Sequence, residues 1–287
     1  MKSWKKLLRW FGKNGRDLPW RGTQDPYRIL VSEIMLQQTQ VSRVKDYYRL
    51  WMKRFPSFGS LAKASNADVI YAWAGLGYNR RALMLRDIAR TIIHNRLPES
   101  EDEWRALKGI GPYTAAAIAA FSLNKKTVPI DTNIRRVLGR VLLGKPFPDL
   151  KDDDRLKKLV KPQAPDVWQA AFDLATSICT KTPDCASCPL KTDCLAAPKF
   201  LSGNVKTPKR MVKKSNEKIY PGKKYPDRIY RGRILSIIRQ KPTPISQIGP
   251  RIDPSFSSKD AIWLEHMVDR LIKDGLLRRI DKTLVLG

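Results

Sequence analysis

One carboxylate stands in an unusual place. Glu33 falls in Tyr27-Arg28-Ile29-Leu30-Val31-Ser32-Glu33-Ile34-Met35-Leu36-Gln37-Gln38-Thr39-Gln40-Val41, a stretch that reads as one helix. Asp25 fits its N-cap and Pro26 its first position. Ile29, Leu30, Ile34 and Leu36 neighbour the carboxylate, and Gln37, four residues on, shares its face. A carboxyl drawn out of water holds its proton more tightly, as a general acid near neutral pH must. Without context, an exposed glutamate beside a polar stripe is the rival reading. The second group is the cysteines. Cys179, Cys185, Cys188 and Cys194 are the only ones, and they share one short loop. That is a local metal or cluster signature rather than a disulfide framework. Four thiolates from a compact loop suit a [4Fe–4S] cluster. Zinc more often shows two separate CxxC knuckles, and this loop has one. Free thiols are the third reading.

A glycine pair supplies the third group, in Leu107-Lys108-Gly109-Ile110-Gly111-Pro112-Tyr113-Thr114-Ala115. Residues Glu99 to Leu107 and Pro112 to Phe121 read as helices on either side, with Pro112 in the first turn of the second. The N–H groups of Ile110, Gly111 and the next turn would converge beside a helix N-terminus, a spot that suits a phosphate. In isolation the pattern is weak, and an ordinary tight turn is the better reading. Charge weighs on the choice. Lys and Arg number 55 against 27 Asp and Glu, a net +28, which implies a polyanionic partner. Nucleic acid ranks before a membrane surface. No apolar run reaches the roughly 18 residues of a spanning helix. Charged residues, Trp4 and Trp10 interrupt any signal-peptide core, so the expected location is intracellular, cytoplasm or nucleoid in a prokaryote.

Just beyond the second hairpin helix lies Pro129-Ile130-Asp131-Thr132-Asn133. With the hairpin, it resembles the helix-hairpin-helix Gly/Pro-Asp (HhH-GPD) module of base-excision DNA glycosylases. Leu18-Pro19-Trp20-Arg21, Ser32 to Val41, and Gly75-Leu76-Gly77-Tyr78-Asn79-Arg80-Arg81-Ala82 extend the likeness to the adenine DNA glycosylase (MutY) family, over roughly residues 1–198. The resemblance implies a mainly α fold: a six-helix barrel module plus an iron–sulfur domain. It favours the [4Fe–4S] cluster at the four cysteines. It also implies a monofunctional enzyme acting on double-stranded DNA with mismatched or oxidised base pairs. Glu33 would protonate the leaving adenine, and Asp131 would stabilise the oxocarbenium-like sugar. Tyr113 stands where bifunctional relatives carry a Schiff-base lysine, and a tyrosine forms no imine. Asn133 matches the adenine-specific pattern. Arg16, Trp20, Arg21, Leu36, Gln37 and Asp173 would line or rim the base pocket. Gln38, Thr39, Tyr78, Lys108, Gly109, Ile110, Gly111 and Lys181 would meet DNA, with Gln38 and Tyr78 as wedge or stacking residues.

The chain departs from the family pattern in three places. Asp173 replaces the usual glutamate and is one methylene shorter, which weakens a contact to adenine. The first cysteine gap is one residue short. Nothing matches the usual oxoguanine-recognition domain. Plain alternatives also stand: Asp131 as an N-cap, Tyr113 as packing, and Arg16 to Arg21 as a capped helix end.

The expected organisation is a glycosylase region over 1–198 with its cluster loop at 179–194, a basic linker over 199–227, and a small α+β domain over 228–287. Ile229 to Arg239, Ile245 to Ile248 and Asp260 to Lys273 read as helices. Leu276 to Ile280 and Thr283 to Leu286, joined at Asp281-Lys282, read as a hairpin, giving a winged-helix-like pattern. The protein is expected to be a monomer. Two competing functions are a thymine or uracil mismatch glycosylase on the same scaffold and a non-enzymatic, cluster-containing DNA-binding regulator. Retention of both Glu33 and Asp131 argues against the regulator.

Overall fold

The computed structural model describes residues 2–208 and 219–287. Its described residues are mainly helical. The helices are α1 (Lys2–Asn14), α2 (Pro26–Leu36), α3 (Val41–Arg54), α4 (Phe58–Lys63), α5 (Asn66–Ala72), α6 (Arg80–His94), α7 (Glu101–Ala106), α8 (Pro112–Phe121), α9 (Thr132–Leu143), α10 (Asp153–Leu159), α11 (Pro165–Ser177), α12 (Ala197–Leu201), α13 (Asp227–Gln240), α14 (Gly249–Ile252) and α15 (Ala261–Lys273). Strands β1 (Thr243–Pro244), β2 (Leu277–Ile280) and β3 (Thr283–Leu286) form one antiparallel sheet in the order β1-β3-β2. Residues 209–218, part of the expected linker, lie outside the described residues.

The chain forms two compact units. One gathers Met1–Glu33 and Pro98–Met211, the other Ile34–Leu97 and Val212–Gly287. Local chemistry sets many helix starts in the first. Ser100 accepts from the Glu103 N–H, Pro112 opens α8, and Asp131 caps α9. Gly144, at φ 62°, closes α9 in the left-handed conformation that costs glycine little. The apolar faces of α1, α9, α10 and α11 then meet in one core, with Trp4, Leu7, Leu138, Leu156 and Trp168 buried.

In the second unit Trp51 and Trp73 pack edge to face at 5.3 Å. The tail contributes its own core, where Tyr230 meets Trp263 edge-on at 4.9 Å. The expected hairpin forms, with Asp281 at φ 51° in its turn. β1 was not expected. It is two residues long, and its proline leaves no periodic signal. The end of the expected linker is also anchored. Lys223 is buried and pairs with Asp253 at 2.8 Å and Asp260 at 2.9 Å.

One expected helix is cut. The stretch from Pro26 to Val41 ends at Leu36, because Gln38 takes φ 57° and breaks the turn before α3 begins. Beyond α3, the capping serines Ser57 and Ser65 start α4 and α5.

Candidate active site

In the first unit α2 carries Glu33, α8 carries Tyr113 at its first turn, and Asp131 heads α9. The three meet. Glu33 is only 8% exposed, and its carboxyl accepts a hydrogen bond from the Tyr113 hydroxyl. Burial raises the Glu33 pKa to about 7, the tyrosine bond works against the rise, and the neighbouring Asp131 charge adds to it. Burial also pushes the Tyr113 hydroxyl well above its ordinary range, with the Glu33 and Asp131 charges adding to the effect. The Tyr113 ring packs edge-on against Phe172, centroids 6.3 Å apart.

Asp131 is both helix cap and site carboxylate. Its Oδ1 accepts from the N–H groups of Asn133 at 2.8 Å and Ile134 at 2.7 Å, and its Oδ2 accepts from Asn133 Nδ2 at 2.8 Å. Burial lifts its pKa, against the pull of those three donors and of the Arg136 charge. The two carboxyls therefore differ in kind. Burial raises both, Glu33 to about 7, but only Asp131 is also held by helix N–H groups that favour its anion.

The base-pocket candidates on the N-terminal side are tied together. Asp173, on α11, is almost fully buried. It accepts from the Arg16 backbone N–H at 2.8 Å and Arg16 Nε at 2.7 Å, and from both terminal nitrogens of Arg21 at 2.8 and 2.6 Å. Burial alone would raise its pKa, but the bonds from Arg21 and Arg16 outweigh it and hold the carboxyl below the usual range. Both oxygens are taken by arginines. Asp173 thus acts as a clamp, and Arg16 and Arg21 form the face that remains; the Arg21 guanidinium also lies over the Phe11 ring. The hairpin follows the expected helices, with Gly109 at φ 95°. The Ile110 N–H differs from expectation: it donates to the Leu107 carbonyl at 3.0 Å, and the residue is buried. Gly109, Gly111 and Lys108 remain exposed.

The four cysteines line one pocket, shared with Val137, Leu174 and Leu190. Among the described residues no group of three or more His, Cys, Asp or Glu side chains is gathered for a single metal ion. The donor set fits a thiolate-held cluster. Arg140, 1% exposed, donates to Cys179 Sγ at 3.4 Å and to the Thr180 and Lys181 carbonyls. Backbone N–H groups of Leu190 reach Cys188, and those of Ala196 and Ala197 reach Cys194. Such donors stabilise negative sulfur. Burial pushes the Cys188 thiol up to about 12, so a bound cation is what would draw its proton off near neutral pH. Lys181 is exposed, and its ammonium donates to the Pro208 carbonyl.

Residues 31–162 match the model of the HhH-GPD superfamily base excision DNA repair protein. An adenine DNA glycosylase of Mycolicibacterium smegmatis is 34% identical over 289 residues, covering 96% of this chain and 92% of the relative. The chain belongs to the adenine DNA glycosylase family. The Homo sapiens adenine DNA glycosylase is 38% identical over 209 residues, 66% of this chain and 38% of its own length. Among solved structures, a thermostable thymine-DNA glycosylase shares 28% identity at a TM-score of 0.62, covering 69% of this chain and 98% of that one. A non-covalent endonuclease III–DNA complex, 16% identical at a TM-score of 0.56, shows the same fold. Membership makes the chain a base-excision DNA glycosylase, a hydrolase of N-glycosidic bonds, on a mainly helical HhH-GPD fold.

The second unit holds the remaining candidates. Leu36, Gln37, Gln38 and Thr39 lie at the end of α2 and the turn after it, and Tyr78 lies in the turn before α6. Gln38 and Tyr78 are both non-glycine residues at positive φ, 57° and 47°. Left-handed backbone costs such residues about 1–2 kcal/mol each. Arg81 joins their turns, and sequence reasoning missed its part. Its Nη1 donates to the Ile34 carbonyl at 2.8 Å and the Gln37 carbonyl at 2.5 Å, while its Nη2 reaches the Gly77 carbonyl at 3.2 Å. The guanidinium lies over the Trp73 and Tyr78 rings. Arg136 was missed as well. It donates to Asn133 Oδ1 at 3.0 Å, the Ala175 carbonyl at 2.8 Å and the Cys179 carbonyl at 2.7 Å. Its spacing three residues after Asn133 was the only available signal.

Proposed function

We propose that the protein excises adenine mispaired with 8-oxoguanine or guanine from double-stranded DNA, without cutting the strand. The observation that carries this is the pairing of a dry Glu33 carboxyl, with a pKa of about 7, with an Asp131 carboxylate held by the first N–H groups of α9. The target base leaves the stack, at a cost of a few kcal/mol that is least at a mismatch. Glu33 gives its proton to a ring nitrogen of the leaving adenine. The C1′–N9 bond breaks, and its electron pair leaves with the base. Asp131 stabilises the positive sugar. Water then adds to C1′, and the Glu33 carboxylate accepts its proton, leaving an abasic site. Tyr113 cannot form an imine, so no amine-driven strand cleavage follows. Arg16 and Arg21, clamped by Asp173, rim the base pocket with Trp20. Gln38, Thr39 and Tyr78 meet the duplex, and the hairpin around Gly109 and Gly111, with Lys108, meets its phosphates.

Cys179, Cys185, Cys188 and Cys194 would hold a [4Fe–4S] cluster. Bound there, it would supply a rigid cross-link for the loop that presents Lys181 to DNA. Residues 228–287 form the winged-helix-like module of this reading, and the enzyme works as an intracellular monomer.

A single-turnover excision assay tests the proposal, using duplexes with A opposite 8-oxoguanine, A opposite G, T opposite G and U opposite G, read with and without alkali. Strand breaks at adenine only after alkali are the expected result. Release of thymine instead would move the protein to the activity named for its structural neighbour, and release of uracil to a uracil mismatch glycosylase on the same scaffold. Binding without release from any duplex would favour the regulator.

A further inference from the structure

The tail of the chain reaches back to the turn that carries Tyr78, within the second unit. Arg239, in the last turn of α13, donates from Nη2 to Asn79 Oδ1 at 2.8 Å across 160 residues of sequence. Asn79 directly follows Tyr78 and precedes α6. Its side chain does not cap that helix; its amide oxygen is given to the arginine instead. Two further links bind the same surfaces. Arg80 pairs with Asp274 at 3.6 Å, and Asn66 Nδ2 donates to the Gly275 carbonyl at 3.0 Å. The Tyr47 hydroxyl packs on Gly75, where a Cβ would stand 2.1 Å from it.

The turn between them is strained. Gly75, Gly77 and Tyr78 all have positive φ, at 95°, 73° and 47°. Only tyrosine among them carries a side chain, and that side chain is 61% exposed. A residue in this conformation persists only where its surroundings over-determine it. On the N-terminal side the Gly77 carbonyl accepts from Trp73 Nε1 at 3.0 Å and from Arg81 Nη2 at 3.2 Å. On the C-terminal side Arg239 holds Asn79, Asp274 pairs with the next residue, Arg80, and the Arg81 guanidinium lies over the Tyr78 ring.

We propose that Arg239 is a positioning residue: through Asn79, the C-terminal module holds the Gly75–Asn79 turn in the strained form that presents Tyr78 to DNA. The last clause rests on the reading of Tyr78 as a duplex contact. The module therefore works as a splint for the DNA-probing turn, whatever else it binds.

Two measurements on the full chain separate the proposal from that reading. The first is amide hydrogen exchange in the DNA-free protein, at Leu76, Arg81 and Ala82, whose N–H groups bond the Trp73, Tyr78 and Asn79 carbonyls. Arg239→Ala and Asn79→Ala should each speed exchange there by about tenfold or more, the loss expected for one charge-assisted hydrogen bond. The double variant should be no faster than either single one, and Asn79→Asp, which keeps the acceptor, should stay at the wild-type rate. Unchanged exchange in Arg239→Ala would overturn the proposal. So would faster exchange spread through α13 and α15, which would mark a tail that has merely come loose. The second is the fluorescence of 2-aminopurine placed beside a mismatch, read on duplex binding. Arg239→Ala and Tyr78→Ala should both lower the unstacking signal. If Tyr78→Ala leaves it unchanged while the exchange results hold, the duplex role of Tyr78 fails and the splint stands.

Discussion

At the scale of the residue, Glu33 is defined by where its proton sits. Folded, its carboxyl titrates near 7; its ordinary value is 4.5. Excision that needs the protonated acid should fall as pH rises through about 7, and a pH–rate profile of kcat/KM reads this limb directly. Glu33→Gln should lower the excision rate by about 10²–10⁴-fold, the usual worth of a general acid, with duplex binding retained in a gel-shift titration. Stability carries the same signature. Between pH 4.5 and about 7 the folded protein keeps a proton that the unfolded chain has released. The stabilisation is full below pH 4.5 and is lost as pH rises through about 7. In urea denaturation Glu33→Gln should therefore gain on the wild type above neutral pH, by up to about 3 kcal/mol, and show no gain in acid. Asp131 allows a cleaner separation of roles. Asn caps a helix as well as Asp, whereas Ala loses about 1 kcal/mol. Asp131→Asn keeps an acceptor for the α9 N–H groups but sets an NH2 against Asn133 Nδ2, so it should lose excision with a small drop in melting temperature, while Asp131→Ala should lose excision and more stability.

At the scale of the element, the end of α2 depends on a guanidinium from α6. The helix leaves carbonyls open at its C-terminus, and Arg81 takes those of Ile34 and Gln37 while also holding Gly77. Replacing it with methionine leaves buried acceptors unpaired, each costing about 1–3 kcal/mol. Arg81→Met should cost about 3 kcal/mol in chemical denaturation. Arg81→Lys should recover little, since an ammonium lacks the planar fork that spans two turns. The cysteine loop is the other element with a partner built in. Arg140 and Arg136 bind it from α9, one at Cys179 Sγ and the next carbonyls, the other at the Cys179 carbonyl. Cys188→Ser should abolish visible absorbance and bound iron in the purified protein. A colourless, iron-free wild type that excises adenine would remove the cluster from the reading.

At the scale of the whole molecule, charge dominates. A surplus of 28 positive charges predicts binding governed by phosphate neutralisation. With about 6–10 phosphate contacts, affinity should drop about 10³–10⁵-fold between roughly 50 and 200 mM salt, and the slope of log K against log salt measures the number of contacts. Matched and mismatched duplexes should share that slope and differ in intercept, because base contacts add specificity and phosphate contacts do not. Among the described residues no helix is long and apolar enough to cross a membrane.

What the chain states locally was legible in its sequence. Pro112 at the start of α8, Asp131 before α9, the glycine hairpin and the four cysteines act within a few residues of themselves, so their types and spacing suffice. The rest depends on segments that meet only in the fold. The stop of α2 needs Arg81, 44 residues beyond Gln37. Asp173 becomes a clamp only when Arg16 and Arg21 arrive from 157 and 152 residues away. Whether Glu33 is an acid or a surface carboxylate is a question of burial, and burial is a property of packing. The tail could be read as helices and a hairpin, but its hold on Asn79 spans 160 residues and leaves no periodic trace. Caps and turns follow from neighbours along the chain, whereas protonation states and long-range hydrogen bonds follow from neighbours in space.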